Sequence, residues 1–256
     1  MRLLRTMRVG WVLHFKQETR NPFFLWIVIC TPLIYATMAY FLFQGGTGDE
    51  ALVTASVGAA LMGIWSLTTT GAAAALTRQR RLGILELLVA SPTPFAAIVM
   101  PITIAISTVG IYSLATGLVV TRLLYRVPIG VESWPAFALG VPPTIVSIGM
   151  LGFLFTSAFV RFRAAWAVGN LFEFPVWTIC GLLIPLVLLP GWVRPLSWAL
   201  APTWGMNALR DAALGGSPWG DIAMCLGLSV AYGVLGLVLL RFFLHAARQN
   251  ATLGLT

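Results

Sequence analysis

Six long apolar stretches alternate with short polar ones along this chain: Phe23 to Phe43, Ala51 to Leu76, Phe95 to Thr121, Pro142 to Val160, Ala164 to Leu189 and Ile222 to Leu244. Each is long enough for a membrane-crossing helix, which needs ~20 predominantly apolar residues to span ~30 Å of hydrocarbon. They are too long and too continuous for a β-barrel, whose strands read as short alternating segments. The pattern predicts an all-α integral membrane fold of six transmembrane helices, forming one domain over residues 1–256. Ahead of the first stretch, Leu4, Met7, Trp11 and Phe15 recur at helical spacing with Arg5, Arg8 and Lys16 on other faces. This predicts an interfacial helix within residues 1–22, lying on the membrane surface. Asn21-Pro22 ends it, because proline disfavours helix in the residue before it.

The loops and interruptions carry further expectations. Segment one is too long for a signal-peptide core and lacks a small-residue cleavage site, so it reads as a retained helix. The second stretch ends in Thr68, Thr69 and Thr70 followed by small residues, a composition that permits close helix contact and hydrogen bonds between helices. Pro142-Pro143 is expected at the start of segment four, where a missing N–H costs least. Residues 190–220 carry Trp192, Trp198 and Trp204, which favour the headgroup level, and Pro190, Pro195 and Pro202, which split the stretch into two short helices. These are expected as a re-entrant or interfacial pair on the outer face.

Segment five holds the one ionisable group at depth. Trp166, Asn170, Glu173, Trp177 and Gly181 recur every three or four residues and share a face, while Pro175 and Pro185 perturb the helix. Glu173 lies about nine residues, or ~13 Å, into the segment, where a carboxyl is costly unless it faces a cavity or a partner. It reads either as a hydrogen-bonded tie between helices or as part of a pathway or subunit seam.

Charge then fixes orientation. Only 9% of residues are charged and the formal net charge is +8. With the N-terminus in the cytoplasm, twelve of the sixteen cations lie on the inner side, among them Arg2, Arg5, Arg8, Lys16, Arg20, Arg78, Arg80 and Arg81. The positive-inside rule therefore places both termini in the cytoplasm and accounts for the basic balance without nucleic acid. Cys30, Cys180 and Cys225 are odd in number, lie in apolar stretches and show no metal-ligand spacing, so they read as reduced and inert.

Catalytic motifs are missing. The single lysine, Lys16, is followed by Gln17, so no Walker A loop exists. There is no His-Glu-x-x-His and no Gly-x-Ser-x-Gly, and His14 and His245 both fall near the inner surface. The chain reads as a non-enzyme with no catalytic, metal or cofactor residues of its own.

One polar run stands out in so apolar a chain: residues 77–93, containing Arg78-Gln-Arg-Arg81 and then Leu-Gly-Ile-Leu-Glu-Leu-Leu-Val-Ala-Ser-Pro92. Leu82, Leu85 and Val89 form an apolar stripe suited to a partner groove, and Glu86 is an acid for which topology gives no reason. This run, together with Arg20-Asn-Pro22 and Pro32, the Pro185 to Pro190 end of segment five, and Pro202 to Arg210, resembles the ABC-2 family of transport permeases in order and spacing.

That resemblance implies a permease pairing with a second one, identical or homologous, and docking on two separate ABC ATPase subunits that bind ATP and Mg. It places Arg81, Gly83, Leu85, Glu86, Leu87, Leu88, Ser91 and Pro92 in a cytoplasmic coupling helix, with residues 1–22 as a connecting helix beside it. Family members commonly have threonine where this chain has Ile84. The pathway would be lined by segments two and five, with Thr68, Thr69, Thr70, Asn170, Glu173 and Trp177 as candidates. The short outer loops fit the drug or antibiotic efflux branch in a bacterial inner membrane, with amphiphilic substrates entering from the cytoplasm or inner leaflet. Export of lipid-linked glycan or lipid by the same fold, a proton-coupled secondary transporter and a membrane enzyme are the other readings.

Overall fold

The computed structural model describes residues 2–43, 49–81, 83, 94–127, 130–159 and 165–249, and within these the chain is all-helical. Ten α-helices follow in order: α1 (Arg2–Thr19), α2 (Pro22–Phe43), α3 (Asp49–Arg81), α4 (Ala96–Leu124), α5 (Trp134–Phe159), α6 (Ala165–Leu171), α7 (Glu173–Ile179), α8 (Val193–Trp198), α9 (Ala201–Leu214) and α10 (Trp219–Gln249). A 3-10 turn at Leu186–Leu188 separates α7 from α8. Among the described residues five helices, α2, α3, α4, α5 and α10, are long and apolar enough to cross a membrane.

The third helix is the axis of the bundle. In its most apolar window 83% of residues are buried, against 22% in α2 and 28% in α10, so α3 is the hub and those two form the rim. Helices α2, α4, α5, α6 and α9 all pack against α3, while α10 leans on α5 and α9. Trp65, Leu61, Met62 and Ile64 of α3 sit fully buried in the main core cluster. Large apolar side chains left exposed run along the rim, including Phe23, Trp26, Ile34 and Phe41 on α2 and Val230, Val234, Val238 and Phe242 on α10. Such faces suit a lipid solvent, in which helix contacts depend on close packing and hydrogen bonds rather than on escape from water.

Two expectations change in the structure. Segment five does not form one spanning helix. Its described residues fold as α6 and α7, broken at Phe172. The ring of Pro175 would strike the carbonyl four residues earlier, that of Leu171, where α6 ends. Pro175 is itself tolerated in the first turn of α7, where N–H groups lack intrahelical partners. The chain leaves α7 through Gly181 at φ +76, a conformation open to glycine, and turns back so that the Leu182 and Leu183 N–H groups donate to the Trp177 carbonyl.

Segment four begins earlier than expected, at Trp134, leaving Pro142 and Pro143 inside α5. Its start is set by Ser133, whose hydroxyl accepts from the Ala136 N–H at 3.4 Å, with Pro135 just inside the helix. In the 190–220 stretch, α8 and α9 meet near Ala199 and Leu200. Helix α9 closes on left-handed Gly215 and packs against α3, α5 and α10.

Helix α1 docks on the protein. Trp11 Nε1 donates to Thr108 Oγ1 of α4 at 3.2 Å. Trp11 stacks on Phe15, which packs against Val28, Leu67 and Val109.

Candidate functional site

The i, i+4 spacing of Ser66, Thr70, Ala74 and Arg78 puts them on one face of α3, leading from the middle of the helix toward its C-terminal end. Polar groups from other helices meet this face at two places.

The deeper one is built around Glu173, the first residue of α7. Its Oε1 accepts from the Ser66 hydroxyl of α3 and, at 3.3 Å, from the Tyr35 hydroxyl of α2. Tyr35 and Ser66 are themselves 3.1 Å apart. Trp177 meets the Tyr35 ring edge-on at a centroid distance of 4.9 Å, and Phe174 also packs edge-on with Trp177 at 4.9 Å. Among the described residues no cation pairs with Glu173; both of its partners are neutral hydroxyls. Because α7 starts at Glu173, the break that Pro175 imposes brings this carboxyl against α2 and α3.

The second lies at the Arg78 end. Glu18 of α1, 9% exposed, faces the Arg78 guanidinium at 3.7 Å. Gln17, with its amide oxygen turned to the guanidinium, accepts from Arg78 Nη2 and Nη1 at 3.0 and 3.2 Å. Burial pushes the Glu18 carboxyl above its ordinary pKa, and Arg78 opposes that shift only in part. His14, one turn earlier, is held below its ordinary value by burial and then by the Arg78 charge, which favours the neutral imidazole. Between Glu18, Arg78 and α2 lies a cavity of about 450 Å³.

The expected pathway residues divide between the two places and the core. Thr70 lines the cavity, its hydroxyl donating to the Ser66 carbonyl. Glu173 and Trp177 meet at the deeper place, although Trp177 is only 2% exposed and belongs to the main core. Asn170 is half-buried near the end of α6. Thr68 points elsewhere: it is fully buried and shares a 2.8 Å hydrogen bond with Ser107 of α4. Thr69 bonds back to the Trp65 carbonyl within α3.

Of the coupling residues, Arg81 is exposed at the end of α3 and Gly83 adopts φ +66; Leu85, Glu86, Leu87, Leu88, Ser91 and Pro92 lie outside the described residues. No cluster of three or more potential metal ligands occurs among the described residues.

Sequence reasoning missed Tyr35, Ser66 and Glu18. The first two lie among apolar residues with nothing to mark them. Glu18 does carry a signal, as the one acid in a basic helix with Asn21-Pro22 just beyond it.

A family model for the ABC-2 type transporter matches residues 7–214, a span that takes in both Glu18 and Glu173. Comparison with curated proteins yields no match.

Proposed function

This chain belongs to the ABC-2 type transporter family, and from that premise we propose that it is the permease half of an exporter moving amphiphilic small molecules of drug or antibiotic type. It is a multi-pass membrane protein and a transport subunit rather than an ATPase. Such permeases work with an ABC ATPase and pair with a second permease. In our reading two copies of the ATPase bind ATP and Mg, and their closure pushes on residues 77–93 of each permease. The push alternates the access of a pathway between the permeases. Charge bias supports an inner-membrane orientation with both termini cytoplasmic, since the opposite arrangement would put twelve of sixteen cations outside.

The observation that supports the pathway is the carboxyl of Glu173, held against α2 and α3 by their hydroxyls on a helix broken beside it. An intramembrane acid facing the bundle interior marks a route or a switch more often than a structural tie. In this reading Thr70, which lines the cavity, and Asn170 contribute to that route. Thr68, Thr69 and Trp177 support its walls from the core.

Affinity purification of the tagged chain in mild detergent tests the assembly. A Walker A protein is expected to co-purify in stoichiometric amount, lost on replacing Leu85 by Asp and Glu86 by Arg together. Recovery of the chain alone, under conditions that preserve a known transporter complex, would favour a secondary transporter built around Glu173.

A further inference from the structure

The cavity where α1, α2 and α3 diverge is apolar on one side, with Phe24, Ile27 and Leu67 in its wall, and polar at Glu18 and Arg78. Its volume falls in the range of small-molecule sites. The hydrogen-bonding capacity of its polar groups is mostly used. Thr70 donates to the Ser66 carbonyl, and Asn21 Oδ1 accepts from the N–H groups of Phe23 and Phe24 at the start of α2. The Arg78 guanidinium donates from Nη1 and Nη2 to Gln17.

The exception is Glu18. Its 3.7 Å approach to Arg78 is an ion pair, too long for a hydrogen bond, and no described residue donates one to its carboxylate. A carboxylate so nearly buried, with no donor, is costly and is relieved by a charged N–H group. An anion would instead be repelled by the Glu18 carboxylate and would share the Arg78 guanidinium with both Glu18 and Gln17.

We propose that this cavity binds an amphiphilic organic cation, whose charged nitrogen donates to the Glu18 carboxylate and whose apolar body lies against Phe24, Ile27 and Leu67. The inference rests on the reading of the chain as a permease for amphiphilic small molecules, and adds the sign of the charge and a first point of contact. From this site the face through Thr70 to Ser66 leads directly to the second carboxyl, Glu173.

Rhodamine 6G, an apolar monovalent cation with N–H donors, is the probe, titrated by fluorescence polarisation into the full chain in lipid nanodiscs without any ATPase. Saturable binding is expected. Glu18→Gln should weaken it by about tenfold or more, the order for losing a hydrogen bond to a charged group. Leu67→Trp should weaken it comparably by filling the cavity while leaving the carboxylate in place, so the two variants test charge and space separately. Unchanged affinity in either folded variant overturns the site. So does binding of the anionic probe 8-anilinonaphthalene-1-sulfonate that is lost in Arg78→Gln while rhodamine 6G fails to saturate. Because the measurement needs no partner, its failure leaves ATPase co-purification standing, and failure of co-purification leaves the binding result standing.

Discussion

At the scale of single residues, the behaviour of Glu173 depends on its two hydroxyl donors. Removing the carboxyl leaves Tyr35 and Ser66 with only each other, whereas an amide keeps an acceptor in place. Glu173→Ala should lower stability by roughly 1–2 kcal/mol, the upper range for hydrogen bonds between membrane helices, and Glu173→Gln should cost much less. Thermal unfolding of the purified chain in detergent checks this; equal melting of the two variants would mean that the hydroxyls do not hold α7 through its carboxyl. This residue was legible in the sequence because an acid in an apolar stretch stands out. Its partners were not: a serine and a tyrosine fit the interior of a membrane helix without comment, and only the fold shows that they converge. Glu18 was hidden differently, inside a helix whose four cations drew the reading toward the membrane surface.

Element by element, helix existence followed from apolar length, but helix continuity did not. The pattern of Ala164 to Leu189 is that of a span, and composition outweighs two prolines in any running average. The physics of Pro175 is local: its ring crowds the Leu171 carbonyl and it has no N–H to bond there, and α6 stops at that residue, whereas Pro142 and Pro143 are carried inside α5. The start of α5 shows the opposite case, where Ser133-Trp-Pro135 held a usable cap-and-proline signal behind the more conspicuous Pro142-Pro143. The turn after α7 is seated on α3 at Gly58, where an added Cβ would lie 2.3 Å from the Leu182 carbonyl oxygen. Gly58→Ala should therefore cost about 1–3 kcal/mol, as overpacking does. Gly227→Ala on the rim helix α10, where a Cβ meets nothing within 4 Å, should be neutral or slightly stabilising. Similar losses from both variants, read by the same melting measurement, would argue against the close contact.

For the whole molecule, family and broad architecture were legible from the order of motifs around apolar stretches. What the sequence lacked was the third dimension that selects α3 as the hub and puts α1 against α4. The coupling prediction belongs at this scale, because it concerns two subunits. Glu86→Arg should leave permease assembly intact and reduce substrate transport per ATP hydrolysed by about tenfold, the effect of about 1.4 kcal/mol. Transport and hydrolysis measured together in reconstituted vesicles decide it, and unchanged coupling would remove Glu86 from the mechanism.

Helix α3 has a mechanical consequence. It runs 33 residues, about 50 Å, with no proline to bend it, from Arg81 to beyond Gly58. At one end it adjoins residues 82–93; in its middle Ser66 grips Glu173; farther along, Gly58 bears on the Leu182 carbonyl. A rod seated this way has little slack, so under the proposed coupling an axial stroke delivered at Arg81 would arrive at both seats of the broken segment together. The break at Phe172 would then be where the stroke becomes a change of angle, which a continuous fifth helix could not provide.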